Sequence, residues 1–367
     1  MSVPERLLLG PGPSPVSARV MQALASPVLS HLDPYLLDAM DDLRRRLARI
    51  FDAAAGSTTL AISGTGTAAM EAAVANVTRP GASALVVVTG YFGDRLAQMF
   101  ERYGATVRRL EVEWGRACDP AQVEEALRHQ STDLVGIVHA ETSTGVLNPV
   151  DDVARVAARA GSLLVADAVT SLGGMPVRVR DWGGAVCYSC AQKGLGAPSG
   201  LSPITFSPEA LARRVPCRSF YLDLSLLEDY WTSRKYHHTI AAPLVLALRE
   251  AATLVEEEGL DARFDRHRST HDALVEGLDR LGLTLLPAAG ERLWTLNAVR
   301  VPAGVDDAKV RRALLEEFDI EIGAGLGPLA GRIWRVGLMG SGSTGANALR
   351  FLSALSHVLE RSGYRRG

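Results

Sequence analysis

From about Thr58 to Phe206, short apolar runs alternate with stretches of helical periodicity. The runs at 85–89, 107–112, 134–139, 163–166, 186–189 and 203–206 are continuous rather than alternating, as expected of strands covered on both faces. Between them, 68–77, 93–103, 120–128 and 153–160 carry apolar residues at helical spacing among good helix formers. This alternation predicts an α/β fold with a doubly wound, mainly parallel sheet. After Trp231-Thr232-Ser233-Arg234 the pattern changes to long helices at 243–258 and 261–281, then a strand at 294–301. A helix at 307–317, a strand at 333–337 and a last helix at 347–361 complete a smaller α+β unit. The predicted boundary lies near 255, giving a large domain with an N-terminal arm (1–255) and a small C-terminal domain (256–367). The acidic run Glu256-Glu257-Glu258 reads as a solvated helix end.

Composition narrows the function classes. A chain of 367 residues, 47% hydrophobic and 22% charged, can bury a large core. Its formal charge of -2 offers no electrostatic footprint for nucleic acid or an anionic membrane, so small-molecule partners are expected. No apolar run approaches the roughly 20 residues that span a bilayer. The start Met1-Ser2-Val3-Pro4 lacks a signal-peptide pattern, and the expected compartment is the cytoplasm. Four cysteines are too few for a disulfide framework, in keeping with a reducing compartment. Cys187 and Cys190 form a C-x-x-C, but three residues apart on a strand they point to opposite faces, and no second pair completes a zinc site. Both read as small buried residues. His267 and His271 are spaced i, i+4 with no third ligand nearby in sequence, so no metal is expected. The adjacent His237 and His238 are expected at a dimer interface or an active-site mouth.

The chemistry is concentrated in one scarce residue type. Of 39 basic residues only Lys193, Lys235 and Lys309 are lysines, and lysine is the side chain that forms an imine with an aldehyde cofactor. Lys235 and Lys309 sit in polar stretches. Lys193 follows an apolar strand and opens the glycine-rich Gly194-Leu195-Gly196-Ala197-Pro198-Ser199-Gly200, at the sheet edge where open α/β folds place ligands. Asp167 ends the apolar strand 162–166 and reads as a helix cap, a metal ligand or the partner of a buried cation. The last would suit a pyridinium nitrogen, which needs an anion to stay protonated. Ser63-Gly64-Thr65-Gly66-Thr67, at the start of an Ala-rich helix, offers an anion site. It also resembles a dinucleotide fingerprint, the mark of an NAD-dependent oxidoreductase. That reading expects an acid about 20 positions on, where this chain has Val88-Thr89-Gly90. A monophosphate is favoured.

With these residues in place, the chain resembles the class V, fold-type I aminotransferases nearly end to end, and among them the alanine:glyoxylate and serine:pyruvate branch. The resemblance is carried by Leu8-Leu9-Gly10-Pro11-Gly12-Pro13-Ser14, Ser63-Gly64-Thr65-Gly66, Gly90-Tyr91-Phe92-Gly93, His139-Ala140-Glu141-Thr142-Ser143-Thr144-Gly145-Val146 and Asp167-Ala168-Val169-Thr170-Ser171-Leu172-Gly173-Gly174. Gln192-Lys193, Tyr236-His237-His238-Thr239 and Trp334-Arg335-Val336-Gly337-Leu338 add to it. It implies pyridoxal 5'-phosphate, held by Lys193 as a Schiff base, with Asp167 at the pyridine nitrogen. Thr65, Gly66, Thr67 and Gln192 would hold the phosphate, joined by Tyr236 and Thr239 from the second subunit of a homodimer. Phe92 would stack on the ring and Thr142 would bond near its hydroxyl. Arg335 would grip the substrate carboxylate, assisted by Ser171 and the backbone near Gly12. Three positions depart from the common pattern: Phe92 where tryptophan is frequent, Thr67 where histidine occurs, and Pro198-Ser199-Gly200 in place of Pro-Pro-Gly.

The implied reaction is ping-pong transamination between a small amino acid and a small 2-oxo acid, with Lys193 as tether and general acid/base. A 2-aminoethylphosphonate transaminase is an alternative within the family. A cysteine desulfurase would need a mobile loop cysteine, and none of the four has that setting.

Overall fold

The computed structural model describes residues 3–365; Met1 and Ser2, part of the leader reading, lie outside the described residues. The chain enters through β1 (Leu7–Leu8), α1 (Ala18–Leu24) and α2 (Pro34–Ile50). Helix α2 has the start signals of Asp33 as cap, accepting from Tyr35 N, and proline in its first turn. The alternation then runs β2 (Thr58–Ser63), α3 (Gly66–Val77), β3 (Ser83–Val88), α4 (Tyr91–Arg102), β4 (Thr106–Glu111), α5 (Pro120–His129) and β5 (Leu134–Val138). A small hairpin, β6 (Ala140–Glu141) with β7 (Val146–Leu147), precedes α6 (Val150–Arg159), β8 (Leu163–Asp167), β9 (Ala185–Tyr188) and β10 (Leu201–Phe206). Short α7 (Pro208–Ala212) and α8 (Leu224–Ser233) lead to the long α9 (Ala242–Glu258) and α10 (Leu260–Arg280). The chain closes with β11 (Leu296–Arg300), α11 (Asp307–Phe318), β12 (Ile320–Glu321), β13 (Gly323–Ala324), β14 (Ile333–Gly337) and α12 (Gly345–Arg361).

The main sheet has seven strands in the order β2-β10-β9-β8-β5-β3-β4. Strands β9, β8, β5, β3 and β4 are parallel neighbours. Strand β10 runs antiparallel to both β9 and β2, and the reason lies in the connection. A parallel return needs a crossover of a dozen or more residues, usually helical, whereas 189–200 is a glycine-rich loop that turns straight back. That loop holds Lys193 at the carboxyl end of β9. Strand β2 takes the same direction as β9, so β2, β3, β5, β8 and β9 all deliver their carboxyl ends to one edge.

Two apolar cores result. One surrounds the main sheet with residues from Val20 to Val255. The other joins α10, α11, α12 and the β11-β14-β13 sheet. The second core also takes Leu9, and β1 pairs in parallel with β12, Leu7 opposite Ile320. The N-terminal arm therefore crosses to the C-terminal unit, and the segment after it passes over the lysine loop on the way.

Candidate active site

Loops from those carboxyl ends converge on a cavity of ≈ 280 Å³. Of the residues expected at the site, Gly12, Thr65, Gly66, Thr67, Phe92, Thr142, Asp167, Gln192, Lys193 and Arg335 line it.

Lys193 is buried, and its Nζ donates to the Thr142 hydroxyl at 3.1 Å and the Thr170 hydroxyl at 2.9 Å. Burial pushes the amine below the ordinary lysine range, against the pull of Cys190 and Asp167 and with that of Arg335. The N-terminal loop is tied across it: Ser14 N donates to Gln192 O and Ser14 Oγ to Lys193 O, both at 2.8 Å. Gly12 lies against the lysine at φ +114°, where a Cβ would come 3.1 Å from Lys193 Cε and Cγ. Only glycine fits there without strain. The other two lysines are exposed and paired, Lys235 with Asp229 at 2.8 Å and Lys309 with Asp306 at 3.9 Å.

Asp167 is the last residue of β8, where the strand hands over to a loop, and it is buried. Its Oδ1 accepts from Val169 N at 2.8 Å. Burial raises its pKa to about 6, opposed by the Val169 N–H and by Lys193. The carboxyl is thus ionised at neutral pH while paying a desolvation cost. Tyr188 sits beside it in register on β9, its phenol pushed well up by burial and then by Asp167.

Helix α3 starts at Thr65 with no side chain capping it; Ala68 N and Ala69 N bond Thr65 O, which leaves the N–H groups of Gly66 and Thr67 to meet an anion at the cavity. Gln192 Oε1 is buried there without a partner. Helix α4 brings Phe92 and Arg95 to the same cavity. Its first turn is held by Glu141, fully buried, which accepts from Gly93 N at 3.1 Å, Phe92 N at 3.4 Å, Ser143 N at 3.0 Å and Ser143 Oγ at 2.6 Å. A carboxylate at a helix start is favoured by the helix dipole, although burial raises its pKa against those bonds.

Arg335 lies mid-strand in β14, opposite Ala298 and Gly323. Its Nε donates to Ala324 O at 2.7 Å and its Nη1 to Thr142 O at 3.5 Å. Burial lowers its pKa to about 10, opposed by Glu141, so it stays charged at neutral pH. Arg263 in α10, also buried, donates to Gly173 O at 2.6 Å and Gly194 O at 2.7 Å. It thereby ties the loops after Asp167 and Lys193 to the C-terminal unit.

Three expected site residues do not line this chain's own cavity; two of them, Tyr236 and Thr239, were expected at that of a second subunit. Ser171 is fully buried, its Oγ bonds His139 Nδ1 at 3.0 Å, and it does not line the cavity. Tyr236 and Thr239 are exposed and do not line the cavity. Tyr236 rests near His31, ring centroids 5.0 Å apart, and His238 Nε2 bonds Ser63 Oγ at 2.7 Å. His267 bonds Arg263 O and Gly340 N, His271 bonds Asn297, and no group of metal-ligating residues forms among the described residues. Cys187 and Cys190 are buried free thiols, as expected, with pKa values pushed up by burial.

Sequence reasoning assigned no role to Arg95, Glu141, Thr170 or Tyr188. Arg95 stands one helical turn after Phe92, a spacing that puts both on one face, so it was legible. Thr170 and Glu141 lie within the motifs at 167–174 and 139–146, but Glu141 meets the start of α4 and Thr170 meets Thr142 and Lys193, segments that only the fold brings together.

The family model of the class-V aminotransferases matches residues 10–331. A solved alanine–glyoxylate aminotransferase from Nostoc sp. superposes with a TM-score of 0.95 at 44% identity, covering 98% of this chain and 96% of that one. The (S)-ureidoglycine–glyoxylate transaminase of Bacillus subtilis is 36% identical over 98% of this chain and 92% of its own length. The alanine–glyoxylate aminotransferase of Drosophila melanogaster is 36% identical over 98% and 94%.

Proposed function

This chain belongs to the class-V aminotransferases, and on that premise we propose that it moves an amino group from alanine to glyoxylate with Lys193 as the catalytic base. It is a transaminase dependent on pyridoxal 5'-phosphate. When bound, the cofactor supplies an aldehyde that takes up the amino group and an aromatic ring that draws electron density from the substrate α-carbon.

The residues present fit that group. A buried amine, a buried carboxylate at the end of the neighbouring strand and an uncapped helix start all line one cavity. In this reading Thr65, Gly66, Thr67 and Gln192 hold the phosphate, Phe92 covers the ring, and Thr142 bonds near the ring hydroxyl. Asp167 keeps a proton on the pyridine nitrogen. Lys193 Nζ would hold the cofactor through its aldehyde and, as a free amine, would accept the proton from the substrate α-carbon. Its depressed pKa favours the free amine that this requires, and Thr142 and Thr170 direct it. Arg335 anchors the carboxylate common to both substrates, with the backbone at Gly12 beside it.

The observation that carries the reading is the buried Lys193 amine beside Asp167 at the mouth of an uncapped helix. The cavity supports small substrates, since at ≈ 280 Å³ it lies just below the range of ordinary ligand pockets, about 300–1,000 Å³, and must hold the cofactor too. Alanine and glyoxylate are favoured by the names of the Nostoc and Drosophila relatives. The test is a matrix of amino donors (alanine, serine, 2-aminoethylphosphonate) against oxo acids (glyoxylate, pyruvate), followed through the near-visible absorbance of the holoenzyme. Alanine with glyoxylate should give the highest kcat/KM; a preference for serine or the phosphonate would overturn the substrate assignment.

The reading extends to a homodimer in which Tyr236 and Thr239 of each subunit complete the other's phosphate site. Its support is the exposure of Phe220, Tyr221 and Tyr236 around His237, apolar surface that favours a covering partner. We read 1–255 and 256–367 as the cofactor domain and the small domain, in keeping with the two cores. A cytoplasmic location is supported by cysteines that are all free. No described helix is long and apolar enough to cross a membrane.

A further inference from the structure

We propose that Arg95 holds the phosphate of the bound cofactor, supplying the positive charge that the α3 cradle otherwise lacks. The inference rests on the pyridoxal-phosphate reading of the cavity. The cradle residues Thr65, Gly66, Thr67 and Gln192 are all neutral, and hydroxyls, an amide and N–H groups alone must face a dianion. Of the cations lining the cavity, Lys193 is assigned to the aldehyde and Arg335 to the substrate carboxylate. Arg95 is the remaining one. Its Nη1 donates to the Thr67 hydroxyl at 3.0 Å, within the helix start itself.

Three further features fit this role. First, Arg95 has no ion pair with a carboxylate among the described residues. The adjacent Asp94 is already engaged, accepting from Arg109 Nε at 3.3 Å and Gln98 Nε2 at 2.6 Å. Second, the guanidinium lies in the corner made by two nearly perpendicular aromatic rings, 5.1 Å from the Tyr91 centroid and 4.9 Å from that of Phe92. Such contacts fix the plane while leaving its N–H edges available, and a preorganised fork is the geometry that binds phosphate best. Third, the first turn of α4, which carries Phe92 and leads into Arg95, is anchored by the buried Glu141. The arginine is therefore presented from a fixed helix start rather than a free surface.

The competing role is packing, in which Arg95 only covers Phe92. Pyridoxal, which has the ring and aldehyde but no phosphate, separates the two. Dissociation constants for pyridoxal 5'-phosphate and for pyridoxal are measured by absorbance titration of the cofactor-free protein, for wild type, Arg95→Gln and Arg95→Lys. Arg95→Gln should weaken pyridoxal phosphate about 10- to 100-fold, the loss of one or two charge-assisted bonds, and leave pyridoxal within about twofold. Arg95→Lys should recover part of the loss, and inorganic phosphate should compete less well against pyridoxal phosphate in Arg95→Gln than in wild type. Equal weakening of both ligands, or no weakening of either, would overturn the proposal. Failure of the wild type to bind pyridoxal phosphate would instead sink the cofactor reading on which it rests.

Discussion

Arg335→Gln tests the substrate assignment most directly. A guanidinium has five N–H donors. In Arg335, Nε is taken by Ala324 O and one Nη1 hydrogen points at Thr142 O at the long distance of 3.5 Å. Three donors are left, enough for a bidentate grip on a carboxylate. Each charge-assisted bond contributes about 1.5–3 kcal/mol, and glutamine, shorter and neutral, would recover at most one ordinary bond of about 1 kcal/mol. The net loss is about 2–5 kcal/mol, or roughly 30- to 4,000-fold at 1.4 kcal/mol per decade. Since the carboxylate is gripped in ground and transition states alike, the loss should fall mainly on KM. Both half-reactions should suffer equally, because amino donor and oxo acid share the carboxylate. The assay is single-turnover kinetics with alanine on one form of the enzyme and glyoxylate on the other. A kcat/KM within fivefold of wild type in either half-reaction would refute the reasoning. So would a loss confined to one of them.

Three other outcomes are expected. Lys193→Arg should abolish turnover and the near-visible absorbance of the holoenzyme, and near-normal turnover would refute the assignment of the base. Asp167 has a folded pKa raised to about 6 from 3.8, chiefly by burial, so the cofactor-free chain should lose stability as pH rises from about 4 to about 6. Asp167→Asn should remove that loss, gaining up to about 3 kcal/mol at pH 7.5 and nothing at pH 3.5; an equal effect at both pH values in thermal unfolding would contradict it. For the shared site, mixing inactive Lys193→Ala subunits with a Tyr236→Phe, Thr239→Val variant should restore activity, because one site of each hybrid then has an intact set. No recovery despite hybrid formation by mass spectrometry would show that the two residues do not act across subunits.

Much of the fold was legible because backbone hydrogen bonding and burial leave a periodic imprint. The strand at 333–337 coincides with β14, and the other expected strands and helices agree with the structure to within a few residues at each end. Helices α2 and α8 were not anticipated, although each has an Asp cap accepting from the second residue beyond it. The reversal at β10 was not anticipated either. Apolar runs carry no sign of direction, and only the absence of a helix between Tyr188 and Leu201 hinted at an antiparallel return.

The site divides in the same way. Lys193 could be singled out by its own sequence, since lysine is scarce and one lysine alone follows an apolar strand into a glycine loop. Asp167 at a strand end and the uncapped Thr65-Gly66-Thr67 were equally local, and the roles of Phe92, Thr142, Gln192 and Arg335 came through resemblance. What tertiary structure decided is which atoms meet. Thr170 turns to the lysine while the next residue, Ser171, turns away to His139, and Arg95 reaches Thr67 from another helix. Residue type and spacing are written along the chain, but these contacts depend on strand order and on which way a side chain leaves the sheet edge. Those are set only when distant segments pack together.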